Sequence, residues 1–208
     1  MNDVAAPLAT VQSHATRILA RHVAATRFED LNARAVHSFK RTLLDYLTTA
    51  LTGSQEPVAH ALLDYLASID ASRTSAVIGS PQRLSVLNAA LLNGTSTHAL
   101  DFDDGHTNGS AHPAGPNFPA VLAVAEQKGL DAKSVIPAVV MGYDVMLRVS
   151  SAMHPASALR GWHNTPVTGV LGAAAGVSKL IGNDEEQTEA ADPQRPMLPR
   201  FQRARLVS

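Results

Sequence analysis

Apolar side chains recur at steps of three and four residues along most of the chain as far as position 182, the spacing of helices that bury one face. The clearest stripe lies in LNARAVHSFKRTLLDYLTTALTG, where the pattern predicts a helix that ends near Gly53. Its predicted buried positions are Val36, Phe39, Leu43, Leu47 and Ala50. One stripe before it runs through Ile18, Leu19 and Val23, and one after it through Val58, Leu62, Leu66 and Ile69.

The middle of the chain continues this helical pattern with one interruption. SAVIG, at positions 75–79, is too short and too rich in β-branched residues to predict a helix, and we expect it to be extended. Ser85 is the predicted N-cap of a helix that is apolar nearly all round and therefore expected to be buried. Pro119 and Asp131 are the start signals of two more predicted helices.

A stretch rich in glycine and alanine predicts the centre of the fold. TPVTGVLGAAAGVSKLIG, positions 165–182, places Gly169, Gly172, Ala173 and Gly176 on neighbouring helical positions. Because a glycine inside a helix costs about 1 kcal/mol relative to alanine, its repeated use indicates that another backbone packs very close. Residues 1–182 are therefore predicted to form one all-α domain. Residues 183–208, which include PQRPMLP, are predicted to be a polar linker and a disordered tail.

The charge balance and the lack of cysteine narrow the function. Lys and Arg number 17 against 18 for Asp and Glu, so no electrostatic field favours nucleic acid or an anionic membrane surface. Without cysteine there is no disulfide, thiolate nucleophile or cysteine-ligated iron–sulfur cluster, and a metal ion would need His, Asp or Glu ligands. The N-terminus lacks a signal-peptide pattern, and the least polar late run, 165–180, is a poor membrane span. We expect a cytoplasmic protein with a small-molecule ligand.

HALDFDDGHTNGSAHPAGP, positions 98–116, concentrates side chains that can do chemistry. It does not fit a calcium-binding EF-hand loop, because the residues at loop positions 5, 6 and 12, counted from Asp101, are the wrong types. Its histidines and aspartates suit a transition metal, although their spacing matches no motif of known geometry. An acid/base site and an ordinary surface loop, which is built from the same residue types, remain as alternatives.

The acid/base interpretation depends on how the preceding helix ends. If that helix continues past residue 100, Thr97, Asp101 and Asp104 share one side of it. A partly buried carboxylate at the C-terminal end of a helix is better placed to accept a proton near neutral pH. The small residues that follow can then approach a ligand closely, and His112 can donate a proton or bind negative charge.

A second constellation, LRGWHNTP at positions 159–166, precedes the glycine-rich helix. Thr165 is the predicted cap of that helix. A helix N-terminus beside Arg160 and His163 is suited to bind an anion. The alternative is that Trp162, the only tryptophan, anchors the loop on the core while His163 faces solvent.

Four segments, in this order, resemble the successive signatures of the MmgE/PrpD family: LNGTSTHALDFDDGH, HPAGPNFPAVLAVAE, GYDVMLRV and RGWHNTPVTGVLGAAAGVSKLIG. The resemblance extends from about Ala15 to Ala191. The family includes 2-methylcitrate dehydratase, cis-aconitate decarboxylase and related lyases or epimerases that act on small polycarboxylates. The resemblance therefore favours a functional site over an ordinary loop in the first polar segment.

The resemblance implies an all-helical domain that pairs with an α/β lid domain, with the active site between them. It implies chemistry without a metal or another cofactor. By motif, Asp101 and His112 are implied to carry the proton transfers and His163 to hold a substrate carboxylate, with Arg160 and Asp104 as further substrate-binding residues. The expected partners are a small polycarboxylate substrate and a second copy of the chain in a homodimer, without nucleic acid or membrane.

The chain also departs from the family pattern. Family members are more than twice as long, and the part that this chain lacks supplies the lid and the lysines that neutralise the substrate. Lys179 lies in the glycine-rich helix and does not replace those lysines. We expect an amino-terminal piece of a family lyase, ended by a frameshift or a misplaced stop and inactive alone. The alternative is a non-catalytic helical remnant or an oligomerisation domain.

Overall fold

The structure, a computed structural model, describes residues 5–192, with side chains from residue 15 onward. Within these residues most of the chain is helical and strand is scarce, so the predicted all-α class is confirmed. The helices are α1 (Ala5–Ala25), α2 (Ala33–Gly53), α3 (Pro57–Ile69), α4 (Val86–His98), α5 (Ala114–Lys128), α6 (Ala132–Met153), α7 (Ala156–Leu159), α8 (Asn164–Leu180) and α9 (Glu185–Ala190). A short antiparallel pair of strands, β1 (Ser75–Ala76) and β2 (Arg83–Leu84), lies in the predicted extended region, with Ser75 opposite Leu84.

Several helix ends follow from local side-chain chemistry. The Asn32 carboxamide oxygen accepts from the Ala35 N–H at 2.9 Å at the start of α2, and Asp131 caps α6 as predicted by accepting from the Ser134 N–H at 3.1 Å. Ser85 does precede α4, but its side chain makes no capping bond. These starts show that the local cap signals identify helix positions well.

Two helices begin earlier than predicted, and at α5 the first turn is stabilised by a distant residue. Helix α5 begins at Ala114 rather than at Pro119, which lies buried inside it. The Asp104 carboxylate accepts from the Ala114 N–H at 2.8 Å and so supplies a cap that the adjacent sequence does not reveal. Helix α8 begins at Asn164, so Thr165 is its second residue and not its cap.

Helices α6 and α8 pack against each other at the centre, as the glycine pattern predicts. A Cβ atom placed on Gly172 would lie 2.8 Å from the carbonyl oxygen of Gly142 and 2.9 Å from the Cβ of Met146. A Cβ on Gly176 would lie 3.1 Å from the carbonyl oxygen of Ala138. Because ordinary Cβ contacts are longer, only glycine lets the two backbones approach this closely.

The core differs in places from the predicted stripes. Tyr46 is fully buried and stacks on Phe118 of α5 with ring centroids 5.0 Å apart, whereas the predicted core residue Leu47 is 42% exposed. Helix α4 is not buried all round, since Leu87 is 81% exposed. Other predicted stripe residues are also exposed: Ile18, Val58 and Ile69. A helix that packs on one side only buries one face. The periodicity of its apolar residues does not show whether a second neighbour covers the opposite face.

Helix α6 is long and apolar enough to cross a membrane by length and composition alone, although more than half of its apolar stretch is buried inside the fold. Its contacts with α8 are those of a core helix.

The described chain continues beyond the predicted boundary at residue 182. Helix α9 begins with a capping box in which Asp184 accepts from the Gln187 N–H at 2.8 Å. It packs on α1, where Arg21 Nε lies 2.9 Å from Glu185 Oε2. The remainder of the predicted tail, 193–208, lies outside the described residues.

Candidate active site

The segment between α4 and α5, residues 99–113 and here called the site loop, is fastened to the two central helices. The His106 N–H donates to the Ala111 carbonyl at 2.9 Å, which closes a turn within the loop. The Gly109 carbonyl accepts from Ser150 Oγ of α6 and from Asn164 Nδ2 of α8, both at 2.7 Å. Because Ser150 and Asn164 are buried, these two bonds hold the loop firmly against the core.

Asp101 is placed by a turn and not by a helix. Helix α4 ends at His98, so the expected helical face of Thr97, Asp101 and Asp104 does not form. Asp101 has a left-handed backbone with φ +53°, a region that aspartate enters more readily than most residues. Its Oδ1 lies 3.8 Å from His98 Nε2 and 3.9 Å from His112 Nε2, and its side chain is 77% exposed.

Asp103 lies on the other side of the same two histidines. Its fully buried Oδ1 is 2.9 Å from His98 Nδ1 and 3.4 Å from His112 Nδ1. The two imidazole centroids are 5.1 Å apart. Both rings therefore turn Nδ1 toward Asp103 and Nε2 toward Asp101. The Asp103 contact is a hydrogen bond for His98, where it favours a proton on Nδ1 and leaves Nε2 available to react. His112 Nδ1 has no hydrogen-bond partner among the described residues.

His163 joins this group from α8. It occupies the N-cap position of that helix, and its ring centroid lies 6.3 Å from that of His98. The Thr165 hydroxyl on the next turn accepts from the His112 backbone N–H at 3.0 Å. Thr165 therefore ties the site loop to the helix that carries His163, so the motifs around His112 and His163 form one structural unit.

Asp104 faces away from the histidines. Besides the Ala114 N–H, its carboxylate accepts from the Tyr143 hydroxyl at 3.0 Å. Burial raises the pKa of Asp104 to about 6, against the lowering effect of its two hydrogen bonds. Asp104 thus connects the first turn of α5 to Tyr143 of α6.

A cavity of about 540 Å³ opens beside the histidines. The polar part of its wall consists of Thr95, His98, Asp103, His112, His163 and Thr165, and its apolar part includes Leu91, Pro116, Pro119, Pro166 and Val170. The first turns of α5 and α8 belong to this wall, so the positive ends of two helix dipoles meet there. The volume suits a small molecule, and the helix ends favour an anionic one.

No lysine or arginine is found among the described residues that line the cavity. Arg160 ends α7, is exposed and lies outside the wall. Lys179 donates to the Ala24 carbonyl at 2.9 Å. Trp162 is 61% exposed and so does not anchor its loop on the core. The wall offers imidazoles and helix dipoles but no permanently charged cation.

Sequence reasoning did not assign a role to Asp103 or to His98 as a member of the acid/base group. The available signal was the alternation in LDFDD: Asp101 and Asp103, two positions apart, face the same pair of histidines, whereas Asp104 faces the core. Such alternation is typical of extended backbone and was hidden by the expectation of a continuing helix.

Residues 17–192 match the N-terminal domain of the MmgE/PrpD family. The chain belongs to the MmgE/PrpD family. The cis-aconitate decarboxylase-like protein oryM of Aspergillus oryzae is 34% identical over 190 residues, which are 88% of this chain and 39% of that protein. The cis-aconitate decarboxylase of Homo sapiens is 32% identical over 161 residues, 73% of this chain and 33% of that protein. The cis-aconitate decarboxylase of Aspergillus terreus is 28% identical over 169 residues, 78% of this chain and 34% of that protein.

The resemblance seen in the four sequence segments is thus confirmed, and the MmgE/PrpD match continues through α9. The chain spans about two fifths or less of the length of these three relatives. Within this MmgE/PrpD domain, His112 and His163 line one cavity, and Asp101 lies next to His112. Asp104 and Arg160 stand apart from that arrangement.

Proposed function

We propose that this chain carries the acid/base part of a lyase site for a small polycarboxylate, with decarboxylation of cis-aconitate as the preferred reaction and dehydration of 2-methylcitrate as the other. The observation that carries the proposal is the convergence of His98, Asp103 and His112 with His163 on one cavity wall. Support for cis-aconitate comes from the names of the relatives, which are cis-aconitate decarboxylases or a protein like them.

His112 is the proposed proton donor. In a decarboxylation, the carbon–carbon bond to one carboxylate breaks, carbon dioxide leaves, and the electron pair stays on the substrate until a proton reaches that carbon. His112 Nε2, which lies on the side of the exposed Asp101, is the nitrogen proposed to deliver the proton, and the imidazolium ring becomes neutral as it does so. In the dehydration, Asp101, 3.9 Å from that Nε2, is the proposed base that removes a proton alpha to a carboxylate. The electron pair then forms the double bond, and the departing hydroxyl group takes a proton from His112 and leaves as water.

His163 is the proposed binding group for a substrate carboxylate. It lines the cavity at the N-terminal end of α8, where the helix dipole favours negative charge. Imidazole and helix ends together neutralise a polycarboxylate only in part, because no described residue of the wall is a lysine or arginine. We therefore propose that further cations come from outside the residues that the structure describes, and that the chain alone binds the substrate without turning it over.

The test is substrate binding by the purified 208-residue chain. We expect cis-aconitate to raise its melting temperature, because a ligand that binds only the folded state stabilises that state. His163→Asn should lose this shift, while His37→Asn, a change on the exposed face of α2, should keep it. A chain whose melting temperature responds to neither cis-aconitate nor 2-methylcitrate, and that turns over neither, would contradict the proposal.

A second candidate function is a non-catalytic helical or oligomerisation domain. The observation in its favour is the set of large apolar side chains left exposed on α2 and α4: Leu44, Leu51, Leu87 and Leu91. It predicts a concentration-dependent oligomer in sedimentation together with no response to polycarboxylates. A homodimer that also binds cis-aconitate would favour the lyase proposal, which includes a cytoplasmic homodimer without nucleic acid or membrane partners.

A further inference from the structure

Two imidazoles of the site lie between two carboxylates. His98, Asp101, Asp103 and His112 each present one nitrogen or oxygen atom, and these four atoms all lie within 4.8 Å of one another. Asp101 lies on the Nε2 side of both rings and is exposed, while Asp103 lies on the Nδ1 side and is buried. The pair of histidines is therefore open to solvent on the Asp101 side and closed on the Asp103 side.

We propose that His98 Nε2, His112 Nε2 and Asp101 Oδ1 form a binding site for one divalent transition-metal ion, with zinc as the best-suited ion. Two imidazole nitrogens and one carboxylate oxygen are a set of protein ligands that zinc takes when a fourth position stays open. The measured separations of 3.8 and 3.9 Å between Asp101 Oδ1 and the two Nε2 atoms exceed the roughly 3.4 Å expected of neighbouring ligands on tetrahedral zinc. The exposed Asp101 side chain has room to make this small movement.

Asp103 supplies the support that metal-binding histidines usually have. A histidine that binds a metal through one ring nitrogen commonly directs the other toward a carboxylate, which fixes the ring and strengthens the ligand. Here the buried Asp103 carboxylate is hydrogen-bonded to His98 Nδ1 and lies 3.4 Å from His112 Nδ1. Its second oxygen and His112 Nδ1 have no hydrogen-bond partner among the described groups. The negative charge of two aspartates around two imidazoles further favours a cation.

The donor set also predicts which ions bind. Imidazole suits zinc, copper and nickel, whereas magnesium and calcium prefer oxygen ligands, so magnesium should not compete. If the proposed lyase function holds, the ion would occupy the same Nε2 lone pairs and Asp101 oxygen that proton transfer uses. Zinc would then act as an inhibitor of the site.

The experiment is calorimetric titration of the purified chain with zinc chloride and, separately, with magnesium chloride. We expect one zinc ion per chain, no binding of magnesium, and a higher melting temperature with zinc. Asp101→Asn should weaken zinc binding by at least a factor of about ten to a hundred, the range for loss of an outer supporting group, because Asp101 is a proposed direct ligand. This variant keeps the fold, because the side chain is exposed and asparagine also tolerates a positive φ.

Three histidine variants make the result specific. His98→Gln should weaken zinc binding as Asp101→Asn does, and His37→Gln should leave it unchanged. His22 Nε2 lies 3.1 Å from Asp144 Oδ2 on the surface, so His22→Gln tests the other place where zinc could bind. Unchanged affinity in both Asp101→Asn and His98→Gln, or loss of binding in His22→Gln, would overturn the proposal. Because the readout is binding without substrate, it is independent of whether the lyase proposal holds.

Discussion

The Asp103 carboxylate lies 2.9 Å from His98 Nδ1, inside the fold, while the other nitrogen of the same ring faces the exposed Asp101. The hydrogen bond orients an imidazole that only partly touches the core. A carboxylate without such a partner would be costly to bury, so the contact also stabilises Asp103. Stability and histidine tautomer are therefore coupled at this position.

Replacing Asp103 should change both the stability of the fold and the tautomer of His98, and leucine should change them more than asparagine. Asp103→Leu removes the acceptor and leaves His98 Nδ1 without its hydrogen-bond partner, which should lower the free energy of unfolding by about 1–3 kcal/mol. Nitrogen NMR of the histidine rings should then show that His98 no longer prefers a proton on Nδ1. Asp103→Asn keeps an acceptor oxygen and should retain that preference. If Asp103→Leu leaves the His98 tautomer unchanged, another group sets it.

Asp104 predicts a specific dependence of stability on pH. Its pKa of about 6 in the folded protein lies above its ordinary value of 3.8, so the folded state binds this proton more tightly than the unfolded chain does. The resulting stabilisation is fully present below about pH 4 and is lost as the pH rises through about 6. It amounts to about 3 kcal/mol.

Asp104→Asn should remove this part of the profile, because the amide stays neutral at every pH. Urea unfolding between about pH 4 and 7 should show a smaller loss of stability in Asp104→Asn than in the wild type. The matched change at an exposed position of α3, Asp64→Asn, should leave the shape of the profile as it is. Parallel profiles for the wild type and Asp104→Asn would show that Asp104 does not titrate in this range.

Asn164 connects the site loop to α8, and its loss should loosen the loop. The side chain donates to the Gly109 carbonyl at 2.7 Å and accepts from Ser157 Oγ at 2.6 Å, and both bonds are buried. Asn164→Ala should cost about 1–3 kcal/mol of stability, since the Ser157 hydroxyl is left without this acceptor. Amide hydrogen exchange in residues 99–113 should become faster. Asn108→Ala, an exposed change in the same loop, should alter neither quantity, and equal effects of the two changes would contradict this role.

The sequence was sufficient to predict the helices but not the contacts between distant residues that form the site. Helical periodicity, the cap at Asp131 and the glycine-rich stretch depend on neighbours in the chain, so they could be read locally. The start of α5 depends on Asp104, ten positions earlier, and the position of His112 on Thr165, 53 positions later. No local pattern encodes such pairings.

The site residues also divide into those that a sequence motif identified and those whose contacts only the fold reveals. The motifs identified His112 and His163, and the fold places both on one cavity. The pairing of Asp103 with His98 requires the turn at Asp101, whose positive φ no sequence pattern indicated. Arg160 was expected at the site because it is close in sequence to His163, but the chain turns at Gly161, with φ +82°, between them.

The contact between α6 and α8 gives a test of the fold at its tightest point. An alanine at Gly172 would bring its Cβ to 2.8 Å from the Gly142 carbonyl oxygen, which is backbone and cannot rotate away. Gly172→Ala should therefore lower stability by about 1–3 kcal/mol through overpacking, even though alanine favours a helix by about 1 kcal/mol. Gly105→Ala is the control, since nothing lies within 4 Å of its added Cβ, and it should change stability by less than about 0.5 kcal/mol. Urea unfolding of both variants measures the difference, and a Gly172→Ala protein as stable as the wild type would mean that the two helices can separate at little cost.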